Sequence, residues 1–280
     1  VKVIGLGNAG CNIVRSFSKF PQYDTYTIDT NKEADITIKK RNSHEEYDEH
    51  FPNLRKKFKF ANDDVFVVVA GSGRISGATL QLLEQLKSNR ITVLYIQADL
   101  SLASEVQKKQ EKIVKNILQE FARSGMIETV LLLDNQMIEK GIGDVAIMGY
   151  YDVLNQAIVN TIHMINVFKN SEAVLGNFST VSDLSRIGTI GILDIEESRE
   201  KWFFNLTNVR DVVYYYGINE AQLEEDGTLF KVITNYVKSK LNDDINISYG
   251  VFKTTYDQKY CYCIKYSSMV QSFLDDQDIS

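Results

Sequence analysis

Proline is nearly missing from this chain, with 2 in 280 residues, so no proline-rich stretch separates its parts as a stiff spacer. Cysteine is scarce as well. Cys11, Cys261 and Cys263 are odd in number and lack metal-binding spacing, so free thiols in a reducing, cytoplasmic setting are the simplest reading. The histidines, His44, His50 and His163, read as surface or helix residues. No His–Asp or Ser–Tyr–Lys constellation for hydride chemistry stands in the last part of the chain. A basic excess is lacking too. Lys and Arg number 31 against 37 Asp and Glu, and the net charge of -6 argues against a general nucleic-acid surface, which needs clustered cations. No apolar run reaches the ~18 residues that span a bilayer. The apolar start, residues 1–6, lacks the basic flank and small-residue cleavage site of a signal peptide. Neither a membrane nor nucleic acid is therefore expected as a direct partner.

What is present is ample core material: 44% of the residues are hydrophobic and 24% are charged, enough for one large or two smaller globular domains. The first half alternates short apolar runs with longer amphipathic stretches, the pattern of parallel α/β units. Strands are expected at 1–5, 25–29, 65–70, 91–97 and 129–133, with helices at 8–20, 78–89 and 105–123. The run at 65–70, VFVVVA, is the clearest buried strand, apolar throughout and largely β-branched. Residues 144–168 read as one long helix, because Val145, Ile147, Met148, Tyr151, Leu154, Ile158, Ile162 and Ile165 recur at helical spacing. The second half changes character, with strands expected at 187–193, 209–216, 245–252 and 260–266 and one helix at 229–241. The predicted fold class is α/β: a parallel-sheet nucleotide-binding domain (1–143), a long central helix (144–170), a smaller α+β C-terminal domain (171–267) and an acidic tail (268–280).

Gly5-Leu6-Gly7-Asn8-Ala9-Gly10 fits G-x-G-x-x-G between a strand and a helix. Glycines there let the backbone approach a phosphate, and the helix start supplies free N–H groups and a positive dipole end. Asp29 closes the second strand about twenty residues on, where dinucleotide-binding domains keep their ribose acid. Alone, this favours a nicotinamide-dependent oxidoreductase. A second small-residue turn, Ala70-Gly71-Ser72-Gly73-Arg74-Ile75-Ser76-Gly77-Ala78, follows the best strand and opens another helix. Two such turns at the carboxyl ends of strands make two anion cradles on one sheet edge, which suits a triphosphate.

These residues resemble the tubulin/FtsZ superfamily, in order along residues 1–267. GLGNAGCNIV resembles its entry loop, including Asn12 after the glycines; IDTNKEAD resembles the next strand and turn; VVVAGSGRISGATLQLLEQL resembles the signature loop. Leu133-Asp134-Asn135 falls where FtsZ has a Pro-Asn pair, and Asp152 falls on the long helix where FtsZ has its guanine-reading aspartate. INISYGVF and YCYCIKYSS resemble the last paired strands of the second domain. The resemblance implies GTP or GDP as ligand, with room for Mg2+, and head-to-tail self-assembly into filaments. It implies a site of Gly7, Asn8, Ala9, Gly10, Asn12, Asp29, Gly71, Ser72, Gly73, Arg74, Ser76, Gly77, Asn135, Tyr151 and Asp152. A carboxylate at Asp152 can accept from both N1–H and the N2 amino group of guanine, a donor pair that adenine lacks; a solvated helix aspartate is the plainer alternative.

Four departures from the family bear on function. Arg74 and Ile75 replace glycine and threonine in the signature loop, and the Gly-Ala-Gly loop for the terminal phosphate has no counterpart between residues 36 and 60. Ala98-Asp99-Leu100-Ser101 replaces a Pro-Phe segment. The family's catalytic N-x-D-x-x-D loop, which completes the next subunit's site, reads Asn177-Phe178-Ser179-Thr180-Val181-Ser182-Asp183. Both acid positions are serine, and Asp183 reaches the second only with a one-residue insertion. Asn177 and Asp183 are the catalytic candidates, and hydrolysis is expected to be weak. The alternatives are a tubulin-fold structural or adaptor subunit without GTPase activity and, third, the oxidoreductase.

Overall fold

The computed structural model describes residues 1–101, 103–143 and 145–272. Its first half runs β1 (Lys2–Leu6), α1 (Gly7–Phe17), β2 (Asp24–Asp29), β3 (Ile36–Thr37), α2 (His44–Glu49) and β4 (Asp64–Ala70). A 3-10 turn (Arg74–Ala78) leads to α3 (Thr79–Gln85), β5 (Arg90–Gln97), α4 (Glu105–Arg123), β6 (Thr129–Asp134), α5 (Asn135–Ile142) and α6 (Tyr150–Lys169). The second half holds β7 (Leu175–Asn177), β8 (Ile187–Asp194), β9 (Arg199–Trp202), β10 (Val209–Asn219), α7 (Glu220–Glu225), α8 (Leu229–Lys240), β11 (Asn246–Thr254) and β12 (Tyr260–Ser267).

The strands form one sheet in the order β3-β2-β1-β4-β5-β6-β8-β12-β10-β11-β7, with β9 paired to β8. From β3 to β6 every pairing is parallel, so all the carboxyl ends of these strands share one edge. β6 meets β8 in parallel through only two residue pairs, Val130 with Ile187 and Leu131 with Gly188. Beyond that junction the pairings are antiparallel except β10 with β11. β4 holds the centre of the parallel part because Val65, Val67, Val68 and Val69 are all fully buried, on both faces of the strand. Branched side chains pack well on such a two-sided surface.

Helices cover both faces. α3 and α4 close one face over Val67, Val69, Val93 and Val130. α1 and α6 close the other over Val3, Val68, Leu94 and Leu131. α8 covers the far end of the sheet with Leu229, Ile233 and Val237. α4 starts sharply because Ser104 and Gln107 form a capping box: Ser104 Oγ accepts from Gln107 N at 3.3 Å and Gln107 Oε1 accepts from Ser104 N at 3.0 Å. No helix among the described residues is long and apolar enough to cross a membrane.

Several expectations need correction. The long helix starts at Tyr150, not at 144; Asp144 itself lies outside the described residues. Val145 to Gly149 are not helical, and Ile147 and Met148, assigned to the apolar stripe, are 95% and 92% exposed. The cause is local: Gly143 and Gly149 both hold positive φ, 94° and 81°, which breaks a helix on either side of the loop. From Leu154 onward the stripe is as expected, with Leu154, Ile158, Ile162 and Ile165 buried, each contributing about 1.5–3 kcal/mol. α5 and the short β3, β7, β9, α2 and α7 are additions, and the helix expected over 78–89 is shorter, the seven residues Thr79–Gln85 preceded by the 3-10 turn Arg74–Ala78. The expected tail at 268–280 is described only to residue 272; Asp275, Asp276 and Asp278 lie outside the described residues.

Candidate functional site

The parallel strands β1, β2, β4, β5 and β6 present their carboxyl ends on one edge, and each of the two glycine turns leaves the sheet there. At the first, Leu6 is extended (φ -110, ψ 121) and caps α1 without any side-chain hydrogen bond, and the first turn carries no acid. The opening N–H groups of an 11-residue helix therefore have no side-chain acceptor, while the helix dipole adds positive potential at the same place. Two glycines are demanded by contact. A Cβ on Gly5 would meet the Gly10 carbonyl at 2.6 Å, and one on Gly10 would meet Val68 O at 2.4 Å, so α1 lies directly on β1 and β4. Asn8 and Ala9 are exposed above this contact. Asn12 is half-buried one turn on, its Oδ1 accepting from Arg15 Nη1 at 2.8 Å.

The second turn is wound around Ser76, which is buried and has its Oγ 2.8 Å from Gly71 O and 2.6 Å from Gly73 O. Thr79 Oγ1 donates to Ser76 O at 2.6 Å and closes the next step. A Cβ on Gly77 would lie 2.0 Å from His44 O, so α2 buttresses this turn from outside. Beneath it, Gly71 leaves no room for a side chain: Tyr95 Oη would be 2.3 Å from a Cβ there and Glu111 Oε2 3.0 Å. The two turns touch. Ile75 Cγ2 would be 2.6 Å from a Cβ on Gly7, so a methyl group fills the gap between them. Ser72 is half-buried, and Gly73 and Arg74 are exposed at the rim.

Around this pair the remaining candidates take different roles. Asp29 turns back on its own loop, with Oδ1 accepting from Thr30 N at 2.6 Å. Asp134 caps α5 through Gln136 N at 2.8 Å and receives Gln97 Nε2 at 3.2 Å, which fixes the start of α5 where Asn135 sits. Burial raises the Asp134 carboxyl above the usual carboxylate range. Tyr150 Oη donates to Glu139 Oε2 at 2.7 Å, tying α6 to α5. Tyr151, 66% exposed, stands edge-on to Tyr150 at 5.2 Å, and Asp152 is exposed on the same first turn of α6.

Asn177 and Asp183 lie elsewhere. Asn177 ends β7 opposite Tyr249, and Asp183 lines a cleft of about 470 Å³ with Asp64, Arg90 and Thr129 at the amino ends of the parallel strands. Within one chain they do not meet the glycine turns. Ser179, in the place of an acid, is occupied structurally: its Oγ is 2.9 Å from Asn246 Oδ1 and 2.7 Å from Ser248 Oγ, and its N donates to Ser248 Oγ at 3.0 Å. Ser182 Oγ accepts from Leu184 N at 3.3 Å.

Sequence reasoning missed Tyr95, Gln97 and Glu111. Glu111 is fully buried on α4, and Tyr95 Oη donates to its Oε1 at 2.5 Å. Burial pushes the carboxyl up to about 7. A usable signal was present, since Glu111 falls in line with Val114, Leu118 and Ala122 on the apolar side of α4.

No family model and no curated protein sequence matches the chain. Solved structures do. A GDP-form protofilament of TubZ from Bacillus thuringiensis serovar israelensis superposes with a TM-score of 0.73 at 18% identity, over 96% of this chain and 84% of that one. The empty FtsZ dimer of M. jannaschii gives 0.71 at 14% identity, over 95% and 87%. This chain has the tubulin/FtsZ-like fold. CetZ2 from Haloferax volcanii, in a GTPγS-bound protofilament, gives 0.69 at 13% identity over 99% and 95%. The likeness to tubulin-like proteins thus takes in the antiparallel end of the sheet as well as the parallel end. The parallel order β3-β2-β1-β4-β5-β6 is shared with dinucleotide-binding folds, so the antiparallel end is what separates the two readings.

Proposed function

We propose that this chain binds guanine nucleotide on the carboxyl edge of its parallel sheet and assembles head to tail into filaments. The observation that carries the reading is the meeting of two small-residue turns at Gly7 and Ile75, beside a helix start with no side-chain cap. Phosphates supply the acceptors that the opening N–H groups of α1 lack. Gly7, Asn8, Ala9, Gly10 and Asn12 line the first turn, and Gly71, Ser72, Gly73, Arg74, Ser76 and Gly77 the second. Asn135, Tyr151 and Asp152 take the nucleoside, with Asp152 reading guanine. A magnesium ion accompanies the bound phosphates.

Assembly is supported by apolar side chains at both ends. Ile147 and Met148 stand free beside Tyr151 at the carboxyl edge, and Phe178 and Leu184, 48% and 72% exposed, stand at the other. A contact joining unlike ends does not close on itself and so builds a filament. The three TubZ, FtsZ and CetZ2 structures were solved as a protofilament, a dimer and a protofilament.

Binding is tested by titrating fluorescent GTP against fluorescent ATP. A preference for GTP that Asp152→Asn abolishes supports the reading; equal affinities in the wild type overturn it. The second reading, a tubulin-fold structural subunit without hydrolysis, is favoured by the bonds that hold Ser179 to Asn246 and Ser248. Serine is no carboxylate base. GTP turnover that stays at background as protein concentration rises, with filaments present, selects this second reading.

A further inference from the structure

α4 carries polar residues where a buried face should be apolar. Glu111, Lys115 and Gln119, spaced by one helical turn, are 0%, 1% and 0% exposed. Buried polar groups are costly unless bonded, so each one marks a partner that holds it. Glu111 takes Tyr95 Oη and lies directly under Gly71 of the second glycine turn; its Oε2 has no hydrogen-bond partner and would be 3.0 Å from a Cβ at Gly71. Lys115 Nζ donates to Gln97 Oε1 at 3.3 Å, and Gln97 in turn holds Asp134 beside Asn135. Toward the other end of the helix the partners come from the last described residues of the chain. Lys115 Nζ also donates to Ser272 O at 3.4 Å. Gln119 and Gln271 bond reciprocally, Gln271 N to Gln119 Oε1 at 2.7 Å and Gln119 Nε2 to Gln271 O at 3.2 Å.

The Gln271 side chain is itself buried and fastened to the loop after β9. Its Oε1 accepts from Thr207 N at 2.7 Å and Thr207 Oγ1 at 3.0 Å, and its Nε2 donates to Met269 O at 2.8 Å. The segment after β12 therefore crosses from the antiparallel end of the sheet onto α4 and docks through a polar lock rather than an apolar one. Docked, every bond above is made; release of the segment breaks the reciprocal pair between Gln119 and Gln271.

The geometry points to residues 268–272 as a latch on the nucleotide edge, with Glu111, Lys115 and Gln119 as positioning residues that carry its docking to the Gly71 turn and to the Gln97–Asp134 pair. The inference rests on the proposed nucleotide reading for its functional consequence, and on the α4 bonds alone for the coupling. Docking holds α4 in register under the turn, so release loosens the turn that wraps the phosphates. Coupling of this kind is a difference in free energy between two arrangements of one physical network.

The test uses the full chain and two readouts. Gln271→Ala and Gln119→Ala are each expected to speed release of bound fluorescent GDP by about tenfold, the effect of one buried hydrogen-bond pair, with the double variant no faster than either single. Hydrogen exchange, measured without nucleotide, is expected to rise at 70–78 and 134–140 in both variants as well as at 268–272. Lys115→Met, which keeps the apolar stem, gives the same result should Gln271→Ala fold poorly. Faster exchange confined to 268–272, with 70–78 and the release rate as in the wild type, overturns the latch. A wild type that binds no guanine nucleotide overturns the proposed function instead, and exchange at 70–78 still decides the coupling.

Discussion

The two edges of the parallel sheet are built from different materials. On the carboxyl edge the backbone itself is the working surface: Gly5, Gly10, Gly71 and Gly77 stand where any side chain would strike a backbone carbonyl or a buried tyrosine hydroxyl. On the amino edge the loop 178–184 is exposed at all but Val181 and held by hydroxyls, Ser179 to Asn246 and Ser248, Ser182 to Leu184. The carboxyl edge is thus fixed by close packing, which permits few residues, and the amino edge by polar contacts that many residues satisfy. A chain can keep the first and let the chemistry of the second drift. Binding and hydrolysis, in the account proposed above, are separable for that reason.

The sharpest way to break this contrast is Gly10→Ala. Its Cβ would lie 2.4 Å from Val68 O, a backbone atom inside β4 that cannot turn aside, so a loss of more than about 3 kcal/mol in chemical unfolding is expected. A cost below about 1 kcal/mol would show that α1 can lift off the sheet.

Next comes the buried acid beneath the second turn. The Glu111 carboxyl, held up to about 7 by burial, is protonated in the folded protein over a range where the unfolded chain has already ionised. Stability is therefore full below the ordinary glutamate pKa, falls as pH rises from there to about 7, and levels off above it, a loss on the order of 3 kcal/mol. Glu111→Gln, which still accepts from Tyr95, should flatten the unfolding midpoint between those limits. An unchanged pH profile would remove Glu111 as its source.

Smaller effects sharpen the comparison. Ile147→Asp places a charge on an apolar group at the carboxyl edge that is 95% exposed, so folding and nucleotide binding should persist while the critical concentration for pelleting rises about tenfold. Pelleting at the wild-type concentration would move the contact away from this loop. Ile75→Ala removes the Cγ2 methyl wedged against Gly7 with the rest of the branched side chain, and nucleotide affinity should rise by about threefold. Weaker binding would mean that the wedge supports the turn instead of crowding it.

Most of the parallel half was legible because its signals are local. VFVVVA announces a two-sided strand, and the helix expected over 105–123 is α4 with the same bounds. The start of α6 was misplaced because Ile147 and Met148 keep helical period, whereas the glycine at 149 decides the backbone. α5 was invisible for a similar reason, being eight residues long with Gly141 inside it and Gly143 after it. At the site, the two turns could be read from their glycines, but their contact through Ile75 could not, since it depends on how β1 and β4 pair. The bond from Tyr150 to Glu139 could not be read either, since it depends on how α5 and α6 meet. The row Glu111, Lys115 and Gln119 lies along the apolar side of α4, but its partners on β5 and at residues 271 and 272 are distant in sequence and could not be read from it.

The most direct test is to denature the purified protein and identify the nucleotide it releases by chromatography. The account predicts GDP or GTP in near-equal amount to the chain, lost in a variant with Gly73→Val at the rim of the second turn. A released nicotinamide dinucleotide, or guanine nucleotide that survives that substitution unchanged, would contradict the placement of a guanine site between the two glycine turns.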